Sequence, residues 1–418
     1  MIVKTKIGLI AGWAWMGLGG ALLADDFSAQ RAELEALAGL TTAPAMQQAE
    51  GFQSSENLKA LYYDALDWKG EPTKVFAWMG LPEQGDSQVP GIVLVHGGGG
   101  TAFKQWVQLW NDHGFAAISI AVEGQTDKKN LAEKNASTPA GWAQHAWPGP
   151  MRQGIYNDSD QPFKDQWMVH AVADTVLANS LLRSLPEVDA DNVGVMGISW
   201  GGVITSTVIG LDDRFAFAIP TYRCGDLARV ENQYGRALGN NELYKQVLDP
   251  RVRLERATMP VLWFSWPEDS HFPMDQQAAG YRAMPGPVMV SLIPGMNHGH
   301  GAAWDLPDSY AFAKSVVEEG VPWCKMMQCH VEGGEIAPPM AGCTVLFKSV
   351  KPLDDAVLVF TTDIGVTGSR TWVESPAELK RDGEIWTASA ALPAGTTAWF
   401  VNVHSGGLTV SSEFQLVQ

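Results

Sequence analysis

Hydrophobic and polar positions alternate between two periods over most of the chain. Short runs rich in β-branched and other apolar residues recur as "TKVFAWMGL" from Thr73, "GIVLVH" from Gly91, "FAAISIAV" from Phe115, "NVGVMGI" from Asn192, "FAFAIP" from Phe215, "PVLWFSW" from Pro260 and "VMVSLIPG" from Val288. They predict at least seven strands. Between them, the stretch from Asp165 sets Val169, Val172, Ala173, Val176, Leu177 and Leu181 at helical spacing, which predicts one apolar stripe laid on a sheet. Strands alternating with helices predict a mostly parallel sheet with helices on both faces.

Past about residue 335 the helical period disappears. "PLDDAVLVFTTDIG", "RTWVESPAEL", "EIWTASAALPAG", "TTAWFVNVHSGG" and "LTVSSEFQLV" read as short strands between Gly, Pro and Asp turns. A small all-β sandwich of the immunoglobulin or fibronectin type is expected over 340–418, behind an α/β domain over 25–335. The boundary is expected in "GGEIAPPMAG". None of the candidate catalytic residues found below falls in the tail. It therefore reads as an accessory module, and a chain ending near Glu335 is expected to keep turnover on a small ester within about an order of magnitude.

The 418 residues, 46% hydrophobic, suffice for one large core plus a smaller domain. With 29 Lys+Arg against 46 Asp+Glu, the net charge of −17 repels phosphate backbones and anionic lipid, so nucleic acid is not an expected partner. At the N-terminus, Lys4 and Lys6 precede an uncharged apolar run, then small residues and two aspartates. This is the layout of a secretory signal cleaved near Ala24, and it predicts a secreted or periplasmic protein without stable membrane insertion after cleavage. An uncleaved anchor is the alternative. In such a compartment the four cysteines can oxidise. One local disulfide is expected among Cys324, Cys329 and Cys343, with Cys224 apart; a zinc site from those three and His330 fits no common spacing, and no metal or other cofactor is expected.

The chemistry centres on Gly197-Ile198-Ser199-Trp200-Gly201. Gly-x-Ser-x-Gly alone occurs by chance in many loops, but here it closes the strand "NVGVMGI" and opens the helix-like "GGVITSTVIG". That strand-turn-helix setting is a nucleophile elbow, whose tightness demands small flanking residues. Serine is a weak nucleophile at neutral pH, so it needs a base for its proton and donors for the oxyanion. "VLVHGGGGTAF" places four glycines at another strand end. The oxyanion hole is assigned to the amides of Gly98 and Trp200, with Gly97 and Gly99 as fallbacks. A phosphate loop would need the Gly-Lys-Ser/Thr ending, which is missing.

An acid and then a histidine should follow at later strand ends. "PEDSHFPMD" offers Glu268, Asp269 and Asp275. Asp269 is favoured, because it sits directly beyond its strand while Asp275 reads as a helix cap; Asp226 is a remote alternative. "MNHGHG" offers His298 and His300, of which His298 lies nearer the strand end. His271 follows the acid too closely to be the base and is expected to line the pocket. Seventeen tryptophans are many for this length. Trp200, Trp266 and Trp304 flank the three slots, and Trp142 and Trp147 lie in an insertion containing "HAWPGPMRQG". Flat aromatic faces suit sugar rings or aromatic acyl groups, so Trp266, His271 and Trp304 are the candidate substrate contacts, although core packing explains tryptophans as well. Two lysines and an arginine near the insertion could steer an anionic substrate, although a solvated loop explains them as well.

In these motifs the chain resembles the α/β-hydrolase superfamily, and within it secreted bacterial hydrolases of the acetylxylan-esterase and dienelactone-hydrolase branch. The likeness rests on "VLVHGGGGTAF", "SLLRSLPEVDADNVGVMGISWGG", "GLDDRFAFAIPTYRCG", "PEDSHFPMD" and "MNHGHGAAW" and runs from roughly residue 55 to 320. It implies the α/β-hydrolase fold and a Ser199, Asp269, His298 triad. A dienelactone hydrolase proper would carry cysteine at the nucleophile. The expected function is hydrolysis of small-molecule or polysaccharide carboxylic esters through an acyl-enzyme. A prolyl-oligopeptidase-like serine peptidase and a non-catalytic carbohydrate-binding protein are the alternatives; the former would normally carry a gating domain, and the sequence contains none.

Overall fold

The apolar runs become the strands of a twisted sheet in the computed structural model, which describes residues 27–83, 87–132, 139–223, 225–332 and 342–417. Two long antiparallel strands lead into it, β1 (Leu58–Asp64) and β2 (Lys74–Gly80). Then come β3 (Val89–Val95), β4 (Ala116–Ile120), β5 (Val188–Ile198), β6 (Phe217–Thr221), β7 (Val261–Ser265) and β8 (Val288–Leu292). Pairing gives the spatial order β1-β2-β4-β3-β5-β6-β7-β8, antiparallel across β1-β2-β4 and parallel from β4 to β8. β4, β6 and β7 are buried at every position, which is why these strands read as continuous apolar runs rather than alternations. All seven expected strands are present, and β1 adds to them.

Five helices frame the sheet and the site: α1 (Lys104–Asp112), α2 (Trp167–Arg183), α3 (Trp200–Val208), α4 (Met274–Arg282) and α5 (Asp308–Glu319). α2 departs from the expected single stripe, since every residue of it except Arg183 is buried. The cause is a second cover. The chain ahead of β2 crosses its outer side, where the Tyr63 hydroxyl donates to the carbonyl of Asp174 (2.9 Å) and the Ser180 hydroxyl to that of Leu40 (2.6 Å).

The C-terminal region is a two-layered β-sandwich with one short 3-10 turn, Thr367–Ser369. Its first strand, β9 (Cys324–Glu332), pairs antiparallel with β10 (Gly342–Ser349), so the sandwich begins at Cys324, ahead of the expected boundary at 335–340. Most of the expected linker, residues 333–341, lies outside the described residues, as does the expected signal segment 1–24. Four further strands follow: β11 (Asp355–Thr361), β12 (Val373–Asp382), β13 (Ile385–Ala391) and β14 (Ala398–Ser405). β12 pairs with β11 through its first half and with β13 through its second, joining the two layers.

The sandwich is not self-contained. Its strand β15 (Leu408–Ser411) pairs antiparallel with β8, so the hydrolase sheet runs on into one layer of the tail. The Leu292 amide donates to the Ser411 hydroxyl (2.8 Å) and Asn402 Nδ2 to the Leu292 carbonyl (2.9 Å). Beyond the strands, the Thr409 amide donates to Asp308 Oδ1 (2.7 Å) and the Phe414 amide to the Tyr281 hydroxyl (2.9 Å).

Cys324, Cys329 and Cys343 are free thiols, against the expected local disulfide. The β9–β10 register sets Cys329 opposite Val345 and Cys343 opposite Val331, so these two stand diagonally rather than face to face, and Cys324 lies opposite Ser349 at the far end. Cys224 is outside the described residues. Among the described residues no helix is long and apolar enough to cross a membrane, and no group of three or more His, Cys, Asp or Glu side chains could hold a metal ion.

Candidate active site

Ser199 sits between β5 and α3 with φ 57° and ψ −115°, a left-handed conformation that costs a non-glycine residue about 1–3 kcal/mol. The turn is locked by the Ser199 amide donating to the Thr221 carbonyl (2.8 Å). Glycine is obligatory on both sides: a Cβ on Gly197 would fall 2.1 Å from the carbonyl oxygen of Gly201, and one on Gly201 2.0 Å from that of Val95. The elbow thereby lifts the serine side chain above the carboxyl ends of β3 and β5.

Two later strand ends deliver the partners. His298, beyond β8, places Nε2 2.9 Å from Ser199 Oγ and Nδ1 3.0 Å from Asp269 Oδ2. Asp269, beyond β7, is wholly buried, and its Oδ1 accepts from the amides of His271 (2.9 Å) and Phe272 (3.1 Å). Both carboxylate oxygens are thus engaged, and the group is fixed in orientation. The rings of Tyr222 (4.8 Å), His271 (5.0 Å) and Phe272 (5.8 Å) surround the imidazole. The competing acids are elsewhere: Asp226 pairs with Arg251, and Asp275 lies in the first turn of α4.

His300 has a different task. Its Nε2 accepts from the Gly97 amide (2.9 Å), so its proton sits on Nδ1, and burial pushes its pKa down to about 3. His96, also buried and lowered to about 4, donates from Nδ1 to the Gly97 carbonyl (2.8 Å) and accepts at Nε2 from the Val122 amide (3.2 Å). Gly97 is therefore gripped at both its amide and its carbonyl by neutral imidazoles. Trp142 Nε1 donates to the Gly99 carbonyl (2.8 Å) and Gln125 Nε2 to that of Gly100 (3.2 Å), completing the loop's anchorage. The Gly97 amide, one of the expected fallbacks, is already paired with His300. Gly98 is exposed, and its amide donates to no group among the described residues. The Trp200 amide, at the first position of α3, is one of the donors a helix start leaves without an intrahelical acceptor.

The aromatic residues divide. His271 borders the cleft and is held by Gln233, whose amide nitrogen lies 3.0 Å from its Nδ1. Trp304 does not reach the cleft: it is buried behind His300, against Phe103 (5.2 Å) and Trp106 (5.6 Å). Trp266 is partly buried and, among the described residues, pairs with no ring of the cleft. The Trp200 ring instead packs on Tyr156 (5.6 Å), Trp167 (5.7 Å) and Tyr234 (5.8 Å), below the elbow. Glu123 and Tyr156 border this floor and carry no motif, whereas Arg152, which lies over the Trp200 ring, is the arginine of "HAWPGPMRQG" in the insertion.

The described geometry can move a proton from a serine hydroxyl to a histidine and hold a developing oxyanion. Comparison with known proteins agrees with that chemistry. Residues 21–249, more than half of the chain, match the family model of acetyl xylan esterase. The chain belongs to the acetyl xylan esterase family. It is accordingly a carboxylic ester hydrolase acting on a small-molecule or polysaccharide ester. The match includes Ser199 and the glycine loop and ends before Asp269 and His298. Acetyl xylan esterase 1 from Thermoanaerobacterium sp. is 20% identical with a TM-score of 0.51, over 65% of this chain and 89% of that one, which shows the α/β-hydrolase fold. Similar too are an acetyl xylan esterase from Paenibacillus sp. R4 (22% identity, TM-score 0.48, 66% of this chain and 90% of that one) and an acylaminoacyl peptidase from Pyrococcus horikoshii (18%, 0.45, 64% and 42%).

Proposed function

We propose that this esterase is a secreted serine hydrolase that removes acetyl or other short acyl groups from carbohydrate esters in two steps. The hydrogen-bonded chain from Ser199 through His298 to Asp269 carries this reading. His298 Nε2 takes the Ser199 proton as Oγ attacks the ester carbonyl, and the amides of Gly98 and Trp200 hold the oxyanion. Collapse expels the sugar alkoxide, which receives that proton from His298. Water, deprotonated by the same imidazole, then releases the acid and restores Ser199. Asp269 keeps Nδ1 protonated and stabilises the imidazolium. The N-terminal pattern at 1–24 supports export.

A fluorophosphonate probe tests the nucleophile, with mass spectrometry expected to place the adduct on Ser199. Acetate release from acetylated xylan tests the substrate. A probe adduct elsewhere, or an intact chain that releases no acetate from any sugar acetate, would overturn the reading.

A further inference from the structure

Arg152 has two of its three guanidinium nitrogens tied and the third open. Its Nε donates to Glu123 Oε1 (3.0 Å) and its Nη1 to the Gly154 carbonyl (2.7 Å), whereas Nη2 donates to no group among the described residues. The guanidinium carbon lies 5.0 Å from the centroid of the Trp200 ring, and Nη2 is 3.3 Å from the position a Cβ on Gly98 would take. With the side chain only 13% exposed, a cation that is always charged is held rigidly beside the amide assigned to the oxyanion. It reaches Gly98 from the side of its Cα rather than along its N–H. It therefore stands next to the oxyanion position, where a substituent neighbouring the scissile ester would lie.

The partner of Arg152 does not cancel it fully. Glu123 is 2% exposed, its Oε2 is buried without a hydrogen-bond partner among the described residues, and burial pushes its pKa up to about 7 against the pull of Arg152. A planar donor with one open nitrogen, set over an indole ring, is suited to a carboxylate on a flat or chair-shaped ring.

We infer that Arg152 forms an anion subsite, and that the preferred substrates are acyl esters of sugars carrying a carboxylate beside the esterified hydroxyl, as in acetylated uronic acids. This rests on the serine-esterase reading above and narrows it.

A matched pair of esters tests it: 4-O-acetyl methyl glucuronoside and 4-O-acetyl methyl glucoside differ only at C6, a carboxylate in the first and a hydroxymethyl in the second. The wild type is expected to show at least about tenfold higher kcat/KM on the uronoside. Arg152→Gln is expected to lose about 30-fold on the uronoside, the scale of one hydrogen bond to a charged group, and less than about threefold on the glucoside. Equal losses on both esters would make Arg152 structural or a general oxyanion donor, and equal turnover by the wild type would remove the subsite; either overturns the inference. Because Arg152→Gln strips Glu123 of its partner and could fail to fold, titration calorimetry on the wild-type protein with methyl glucuronoside and methyl glucoside supplies a second readout. Tighter binding of the uronoside supports the subsite, and equal affinity overturns it. Selective binding with turnover of neither ester would overturn the esterase reading and leave the subsite standing.

Discussion

Gly368, in the 3-10 turn of the C-terminal sandwich, rests its Cα against the backbone of Asp269: a Cβ there would fall 2.0 Å from the Asp269 carbonyl oxygen and 2.7 Å from the Cα of Ser270. The neighbouring Thr367, 2% exposed, fastens the same turn, its hydroxyl accepting from the Met274 amide (2.9 Å) and donating to Asp275 Oδ1 (3.1 Å). The loop that presents the acid to His298 is thus bounded on one side by the tail.

Gly368→Ala is therefore expected to push the acid loop away from the imidazole. A displacement of about 1 Å at such a site costs up to about 100-fold, so kcat on p-nitrophenyl acetate should fall by roughly tenfold or more with KM little changed. Leu358→Ala, in the sandwich core, is the control: it should lower the melting temperature and leave kcat alone. An unchanged kcat in Gly368→Ala would remove the buttress.

Cutting the chain near Glu335, expected from the sequence to spare turnover, gains a different forecast. Such a chain keeps β9 without its partner β10 and lacks Gly368, Ser411 and Asn402, leaving Leu292 and Asp308 without bonds they make across the interface. Loss of essentially all turnover, with aggregation seen by size-exclusion chromatography, is the expected result. A monomeric truncation with near-normal turnover would contradict it.

For the serine and its base, Ser199→Ala and His298→Ala should each reduce kcat by about 10⁴-fold or more while circular dichroism stays native. Retained turnover in either variant would reassign the nucleophile or base.

His300 should separate into an acceptor and a ring. Removing the acceptor in His300→Ala leaves the buried Gly97 amide unpaired, at about 1–3 kcal/mol, and frees the glycine loop, so kcat should drop. His300→Gln returns an oxygen in place of Nε2 and should recover much of the loss. Equal activity in both variants would show that the loop holds without this bond.

Acid sensitivity follows from the same residue. His300 titrates near 3 when folded and near 6.5 when unfolded, so the unfolded chain binds more protons between those values and stability falls as pH drops below about 6.5, by up to ~1.4 kcal/mol per pH unit. Glu123, raised to about 7, works in the opposite direction between its unfolded value and 7, so the wild-type slope is a sum. The difference between wild type and His300→Gln isolates the histidine: the variant should lose less stability from pH 6 to 4.5 in urea titrations. Parallel curves would show that His300 does not titrate as a buried neutral group.

The strands buried on both faces are legible in the sequence because burial removes every charged residue from them, and the elbow is legible because its steric demand leaves only glycine at 197 and 201. β1, "LKALYYD", escapes because it lies near the sheet edge with Lys59 and Asp64 exposed. β9 escapes because an irregularity between Met326 and Gln328 breaks its alternation, so that Lys325 falls out of step with Gln328 and His330 and the period of two is confined to Gln328–Glu332. The split between His298 and His300 is half legible. Strand-end position favours the first, but nothing local signals that the second accepts from a peptide 203 residues away. Gly368 carries no sequence signal, since its constraint comes from a backbone in another part of the chain.

The junction of β8 with β15 also fixes an order of events in folding. Leu292 and Ser411, bonded across it, are 119 residues apart, so this edge of the sheet closes only once the chain has been made through Ser411. Until then β8 presents unpaired amides and carbonyls, a template for intermolecular pairing. Contacts of such separation form slowly. Refolding yield should therefore depend on protein concentration, and recovered esterase activity should report the last step of assembly, trailing the return of helical signal from the nascent hydrolase core.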